Sequence, residues 1–155
     1  MKTTIIATGK LKERYWREAC AEYVKRLAPY GALEIVELPD RDPAKGGVAR
    51  ALQQEASAIL KAVPAGAWVI ALALEGRPVS SEELSARLDE LKVSGHSRVC
   101  FVIGSSQGLA PEVLKRADEA ISFGRITLPH NLARVVLLEQ LYRAACISAG
   151  NPYHK

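Results

Sequence analysis

Residues 104–108, Gly-Ser-Ser-Gln-Gly, have a composition that suits a ligand-binding or catalytic loop. They follow the apolar run 98–103, and their two glycines lack Cβ atoms, so a ligand can approach the backbone and meet exposed amides. The spacing matches neither the dinucleotide pattern G-x-G-x-x-G nor the phosphate-binding loop that ends in Gly-Lys-Ser/Thr. The segment therefore indicates a ligand site and disfavours classical dinucleotide or triphosphate binding.

The remaining reactive residue types form no catalytic or metal-binding pattern of a known kind. Cys20, Cys100 and Cys146 lie far apart in apolar stretches, which predicts small core residues in a reducing compartment and no metal site. The acidic residues do not show the paired arrangement of a hydrolase. His96 lies in a polar turn and is expected to be solvated, whereas His130 could serve either packing or substrate contact.

An alternation of strands and helices must position these segments. The patterns predict strands at 3–8, 33–38, 68–74, 98–103 and 120–123, with helices at 12–27, 48–63, 81–93, from Pro111, and at 131–149. Ser80 and Glu83 predict a capping box at the start of the third helix. The strands at 68–74 and 98–103 are almost wholly apolar, as strands covered on both faces must be. The sequence thus predicts one α/β domain over residues 1–155, with a mostly parallel sheet and helices on both faces.

Three predicted loops follow the carboxyl ends of apolar strands, at 72–78, 104–111 and 123–129. In parallel α/β sheets, ligands collect outside those ends, because the loops converge there. We therefore expect the three loops to build one site.

Composition and charge favour a polyanionic partner. The chain has 155 residues, 48% of them hydrophobic and 25% charged, and a net charge of +4. Residues 1–30 carry +4 and residues 123–155 carry +3, whereas residues 31–122 carry −3. Basic ends suit RNA, and no apolar run approaches the ~20 residues that cross a bilayer. The candidate RNA-binding residues lie on the first helix: Lys12, Arg14, Arg17, Lys25 and Arg26.

Several motifs, which occur in a fixed order along the chain, make the prediction of fold and function more specific. They are Ala7-Thr8-Gly9-Lys10-Leu11-Lys12, Tyr15-Trp16, Val102-Ile103-Gly104-Ser105-Ser106-Gln107-Gly108-Leu109, Thr127-Leu128-Pro129-His130, Arg134-Val135-Val136-Leu137, Glu139-Gln140-Leu141-Tyr142-Arg143-Ala144 and Pro152-Tyr153-His154-Lys155. Together they resemble the bacterial large-subunit ribosomal RNA pseudouridine N3-methyltransferase family, a member of the SPOUT superfamily of trefoil-knotted methyltransferases. The resemblance covers essentially the whole chain.

The resemblance implies a C-terminal trefoil knot whose cleft holds S-adenosylmethionine in a bent form. An apolar slot edged by free amides and carbonyls suits its adenine. The family usually has two successive glycines where this chain has Gly104 and Ser105, so Ser105 adds a Cβ beside the expected ligand. Carried over by position, the cofactor-binding residues are Leu72, Gly104, Phe123, Gly124, Arg125, Ile126, Thr127 and Leu128.

The reaction implied by the resemblance is methylation of N3 of a pseudouridine in 23S ribosomal RNA on assembled ribosomes. That imide nitrogen is a poor nucleophile until it loses its proton, so a base or a charge-stabilising cation should lie nearby. The catalytic candidates are Arg143 as charge stabiliser, His154 as base, and Tyr153. The C-terminal tail is expected to lie over the cleft of a partner subunit.

The last helix carries a wide apolar face, which predicts a homodimer built largely on this element; the alternative is a central helix that is buried within one chain. We expect a cytoplasmic enzyme without a metal or a membrane anchor. Two alternatives stay open at this point. The first is a knotted methyltransferase that acts on transfer RNA, because fold and cofactor do not choose the substrate. The second is a non-catalytic RNA- or nucleotide-binding module of the same shape.

Overall fold

A five-stranded, all-parallel sheet forms the centre of the computed structural model, which describes residues 1–155. The strands lie in the order β2-β1-β4-β3-β5, and β1 pairs in register with both β2 and β4. Their bounds are β1 Lys2–Thr8, β2 Leu33–Leu38, β3 Trp68–Pro78, β4 Arg98–Ile103 and β5 Glu119–Ser122. The parallel α/β sheet predicted from the sequence is confirmed.

Helices cover both faces of the sheet. They are α1 Arg14–Leu27, continued by a 3-10 turn at Ala28–Tyr30, then α2 Val48–Ala62, α3 Ser81–Val93, α4 Pro111–Arg116 and α5 His130–Ala149. On one face, α1, α3 and α5 pack against side chains such as Ile5, Ile70 and Phe101. On the other face, α2 and α4 pack against Ile6 and Val102. Successive strand residues thus enter opposite cores, as the apolar strands predict.

Local signals fix several helix ends. The Ser80 hydroxyl accepts a hydrogen bond from the Glu83 amide at 3.0 Å, and the Glu83 carboxylate accepts one from the Ser80 amide at 2.7 Å. The predicted capping box is confirmed. Pro111 occupies the start of α4, and Gly150 ends α5 with a φ of 73°, a left-handed conformation that favours glycine.

The predicted loop at 72–78 is wrong, because β3 continues to Pro78. Both Leu72 and Arg77 are paired with Ile121 of β5, so a bulge lies between them. Gly76 makes this possible, since a Cβ at that position would lie 2.6 Å from the Ile121 carbonyl carbon. The remaining elements differ from the predictions by at most two residues at their ends.

Helix α5 packs against both α1 and α3 of the same chain. Leu137, Leu138 and Leu141 are buried in this arrangement. Much of the apolar surface that predicted a dimer is therefore covered within the chain, and the homodimer stays a prediction. None of the helices is long and apolar enough to span a bilayer.

Candidate active site

A cleft of about 540 Å³ opens at the carboxyl ends of β3, β4 and β5. Its volume lies within the range of about 300–1,000 Å³ that is common for small-molecule sites. Residues of the carboxyl-terminal parts of these strands and of the segments that follow β4 and β5 line it together: Leu72, Ala73, Leu74, Glu75, Ile103, Gly104, Ser105, Ser106, Gln107, Gly108, Leu109, Ile121, Ser122, Phe123, Gly124, Ile126, Thr127, Leu128 and Pro129, with His130 and Ala133 of α5. Every predicted cofactor-binding residue except Arg125 belongs to this lining.

The glycine loop, residues 104–108, folds tightly back on itself at the end of β4. The Gly108 amide donates to the Ser105 carbonyl at 2.9 Å, and the two residues form an isolated antiparallel bridge. A Cβ on Gly104 would lie 2.4 Å from the Gly108 carbonyl oxygen, a distance that backbone atoms cannot relieve without moving. Gly108 has a φ of +80°. Both glycines are therefore required by the shape of the loop.

The segment after β5 forms the opposite wall. The Ser122 hydroxyl accepts from the Gly124 amide at 2.9 Å and donates to its carbonyl at 2.8 Å, and Gly124 has a φ of +109°. Beyond this turn, residues 125–129 form no helix or strand. Ile126 is 77% exposed at the rim, and Leu128 is half-buried. This wall is apolar, and its backbone N–H and C=O groups belong to no helix or sheet. It therefore suits an adenine ring and the polar edge of that ring.

The three predicted catalytic residues lie together in a second place, around Glu139 of α5. The Glu139 carboxylate accepts from Arg143 Nε at 3.0 Å and Nη2 at 2.5 Å, and from the Tyr153 hydroxyl at 3.1 Å. Arg143 Nη1 lies 3.1 Å from His154 Nδ1, and its guanidinium stacks 4.8 Å from the Tyr153 ring centre. The C-terminal tail thus packs on its own α5.

Hydrogen bonding defines the state of these groups. A guanidinium can only donate, so His154 Nδ1 accepts from Arg143, and His154 Nε2 carries the proton that it donates to Glu82 Oε1 at 2.7 Å. Burial, followed by the hydrogen bond to Glu139, raises the pKa of Tyr153 to about 12. The hydrogen bond to Glu139 also raises the pKa of Arg143. At neutral pH the cluster therefore presents a neutral phenol, a permanent cation and an oriented imidazole.

The cluster and the cleft are separated within one chain. None of Arg143, Tyr153 and His154 lines the cleft. Because an α-helix rises about 1.5 Å per residue, the ten residues from Ala133, which lines the cleft, to Arg143 span about 15 Å. A single chain does not bring the cofactor-binding and catalytic candidates together.

Comparison with known proteins decides the family. A profile described as a predicted SPOUT methyltransferase matches residues 1–154. The ribosomal RNA large subunit methyltransferase H of Bacillus thuringiensis (strain Al Hakam) is 49% identical over 159 residues, with all of both chains covered. The protein of that name from Listeria monocytogenes serovar 1/2a has the same identity and coverage. The chain belongs to the SPOUT methyltransferase family. The family resemblance seen in the sequence motifs is confirmed, and with it the class of reaction, methyl transfer.

A solved structure shows the same fold. A probable methylase family protein from Haemophilus influenzae Rd KW20 superimposes with a TM-score of 0.53 at 15% sequence identity. The match covers 99% of this SPOUT methyltransferase and 70% of that chain.

Sequence reasoning missed a charged residue buried beside the cleft of this SPOUT methyltransferase. Arg134 of α5 is 3% exposed, and it donates to Glu37 Oε2 and to the Gly9 carbonyl, both at 2.7 Å. Gly9 in turn closely approaches His130, since a Cβ there would lie 2.7 Å from His130 Cε1. The signal was present: Arg134 falls on the same helical stripe as Leu137, Leu138 and Leu141. The loop after β1 is therefore anchored beside the cleft.

The three cysteines of this SPOUT methyltransferase are free and buried, in agreement with their predicted place in the core. Burial raises the pKa of Cys20, and it raises the pKa of Cys100 to about 11. The two thiols therefore stay protonated at neutral pH and serve packing. No group of three or more His, Cys, Asp or Glu side chains is arranged to hold a metal ion.

Proposed function

We propose that this chain transfers the methyl group of S-adenosylmethionine to N3 of a pseudouridine in 23S ribosomal RNA, and that it acts on assembled ribosomes. The observation that carries the proposal is the single cleft that gathers Leu72, Gly104 and residues 123–128 except Arg125. The relatives that share 49% of its residues bear the name of ribosomal RNA large subunit methyltransferases. The whole chain, residues 1–155, acts as one methyltransferase domain.

The cleft residues suit the cofactor. Bound S-adenosylmethionine supplies a methyl group that is electrophilic because it is attached to a sulfonium. Leu72, Ile126 and Leu128 provide the apolar slot for adenine, and the amides and carbonyls of the 123–129 segment meet its polar edge. Gly104 lets the glycine loop fold back on itself at the edge of the cleft, since a Cβ there would meet the Gly108 carbonyl. Arg125, which is exposed outside the lining, contributes through its backbone.

The polar cluster supplies proton and charge control. Removal of the N3 proton leaves negative charge on the imide oxygens of the base, and the permanent cation of Arg143 stabilises it. His154 accepts the proton after its Nδ1 exchanges Arg143 for the substrate. Tyr153 donates a hydrogen bond and does not act as the base, because its pKa is raised to about 12.

The active site takes its two parts from two copies of the chain. The cleft of one copy meets Arg143, Tyr153 and His154 of the second, since the two groups are about 15 Å apart along α5 in one chain. This requirement supports a homodimer more directly than the apolar face of α5 does. The chain after β5 forms the trefoil knot expected of the family.

RNA reaches the cleft along the start of α1. That helix begins at the edge of the sheet where the parallel strands end, which is also the edge of the cleft. Lys12, Arg14 and Arg17 are exposed there, whereas Lys25 and Arg26 lie at the far end of the helix. Phosphate contacts from such residues give affinity without sequence readout. Specificity then comes from the shape of the ribosomal target, and the enzyme works in the cytoplasm with the ribosomes.

The test is methyl transfer from S-adenosylmethionine with a labelled methyl group. Assembled ribosomes that lack the modification should accept about one methyl group each, at N3 of a pseudouridine when the RNA is mapped by mass spectrometry. Calorimetry should show about one cofactor site per chain. Label confined to transfer RNA would support the first alternative, and the absence of cofactor binding would support a non-catalytic module.

A further inference from the structure

Glu55 of α2 is a buried carboxylate that the reaction scheme does not use. It is 3% exposed and does not line the cleft. Its Oε1 accepts from the Ser105 hydroxyl at 2.7 Å, and its Oε2 accepts from the Arg41 amide at 2.8 Å. One carboxylate therefore joins the glycine loop to the segment that follows β2.

Packing alone does not explain a carboxylate at this position. Ala51 and Ile59, one helical turn away on either side, are buried apolar residues on the same stripe of α2. A carboxylate taken out of water is costly unless donors satisfy it, and Glu55 takes part in none of the ion pairs of the structure. Its two hydrogen bonds to neutral donors are what distinguish it from an alanine or a leucine there.

Ser105 connects Glu55 to the cofactor cleft. It lines the cleft next to Gly104, and its hydroxyl also accepts from the Gln107 amide at 3.3 Å. Its φ is not positive, so a serine fits the backbone of the loop without strain. The side chain that stands where the family usually has a second glycine is thus bonded to Glu55, a residue outside the cleft.

We infer that Glu55 is a positioning residue that acts through Ser105 and holds the glycine loop in the shape that binds the methyl donor. The inference rests on the proposed function of the cleft. Neither residue touches the reacting atoms. Loss of either partner should therefore weaken cofactor binding and raise KM for S-adenosylmethionine, with little change in kcat at saturation.

Calorimetric titration with S-adenosylmethionine tests the inference on the full-length chain. The variants are Glu55→Gln, Ser105→Ala and the double variant. Glutamine keeps the size of Glu55 but can accept only one of the two hydrogen bonds: when its oxygen accepts from the Arg41 amide, its N–H faces Ser105, and the Ser105 hydroxyl loses the acceptor to which it donates. Each single variant should bind about fivefold more weakly, as the loss of one hydrogen bond predicts. The double variant should be no weaker than the poorer single variant, because both changes break the same contact.

A matched control separates positioning from stability. Ser85 is another buried serine, 3% exposed, whose hydroxyl donates to the Ala144 carbonyl at 2.8 Å, away from the cleft. Ser85→Ala should lower the unfolding temperature and leave the cofactor Kd within about twofold. If Glu55→Gln does not fold, Ser105→Ala and Ser105→Gly carry the test, since neither removes the buried carboxylate.

The outcomes are distinguishable. The wild-type chain could bind S-adenosylmethionine while Ser105→Ala binds it with the same Kd, or while the losses of affinity add up in the double variant. Either result would overturn the role of Glu55 and leave the cleft assignment intact. A wild-type chain that does not bind S-adenosylmethionine would overturn the proposed function and the role of Glu55 together.

Discussion

Subunit mixing gives the most direct test of an active site shared between two copies. Gly104→Ala should abolish cofactor binding, because the added Cβ would lie 2.4 Å from a backbone oxygen within the loop. Arg143→Ala should leave the cleft intact and lower the rate by about 10²–10³, a typical loss when a charge-stabilising donor is removed. Each variant alone is then nearly inactive.

The expected rescue follows from the geometry. In an equal, random mixture, half of the dimers contain one copy of each variant. A mixed dimer has one intact site, formed by the cleft of the Arg143→Ala chain and the tail of the Gly104→Ala chain, and one site with both defects. The mixture should therefore recover about a quarter of wild-type activity per chain if the dimer is symmetric and both sites work.

The assay is transfer of labelled methyl to ribosomes, with two different affinity tags used to measure the fraction of mixed dimers. A mixture of Arg143→Ala with His154→Ala is the control, because both defects lie in the tail cluster and no intact site can form. Mixed dimers that show no more activity than the two parents would refute the shared site and would mean that the tail serves the cleft of its own chain.

Three further predictions concern stability and RNA binding. Arg134→Ala should lower the free energy of unfolding by about 2–4 kcal/mol in urea titrations at fixed protein concentration, because the Gly9 carbonyl and the Glu37 carboxylate lose their buried donor; a loss below about 1 kcal/mol would contradict this. The pKa of Tyr153 is raised from 10.0, its value in the unfolded chain, to about 12 in the folded chain. The neutral phenol therefore contributes its full stabilisation below pH 10.0, and this contribution is lost as pH rises toward 12. Tyr153→Phe should remove the part of the fall in melting temperature at alkaline pH that ionisation of this phenol causes. A melting temperature with the same alkaline pH dependence as the wild type would contradict the pKa shift assigned to Tyr153. The double variant Lys12→Ala/Arg17→Ala should lower the slope of the logarithm of the RNA-binding constant against the logarithm of salt concentration by the equivalent of about two phosphate contacts. An unchanged slope would place the RNA elsewhere.

The order of elements and the position of the cleft could be predicted from the sequence because both depend on local signals. Apolar runs such as 98–103 specify buried strands, and Ser80 with Glu83 specifies a helix start within four residues. Because the strands are parallel, the carboxyl-terminal part of β3 and the segments after β4 and β5 meet at one edge, which can be predicted without any knowledge of tertiary contacts.

Pairs of residues distant in the sequence could not be predicted. Glu55 meets Ser105 across 50 positions, and Arg134 meets Glu37 across 97. No local pattern encodes such partners, although a charge on an apolar helical stripe indicates that a partner must exist, since an unpaired buried charge is costly. The bulge in β3 was missed for a related reason: Gly76 in a polar stretch is typical of a loop, and the approach of Ile121 is a tertiary contact.

The buried thiols give the protein a set of internal reporters of unfolding. Cys20 lies in α1, Cys100 in the central strand β4 and Cys146 in α5, and all three are shielded from solvent. Since alkylating reagents need an accessible thiolate, the labelling rate of each site measures how often its own element opens. Mass spectrometry of labelled peptides would thus rank the helices and the sheet by local opening, without introducing any mutation.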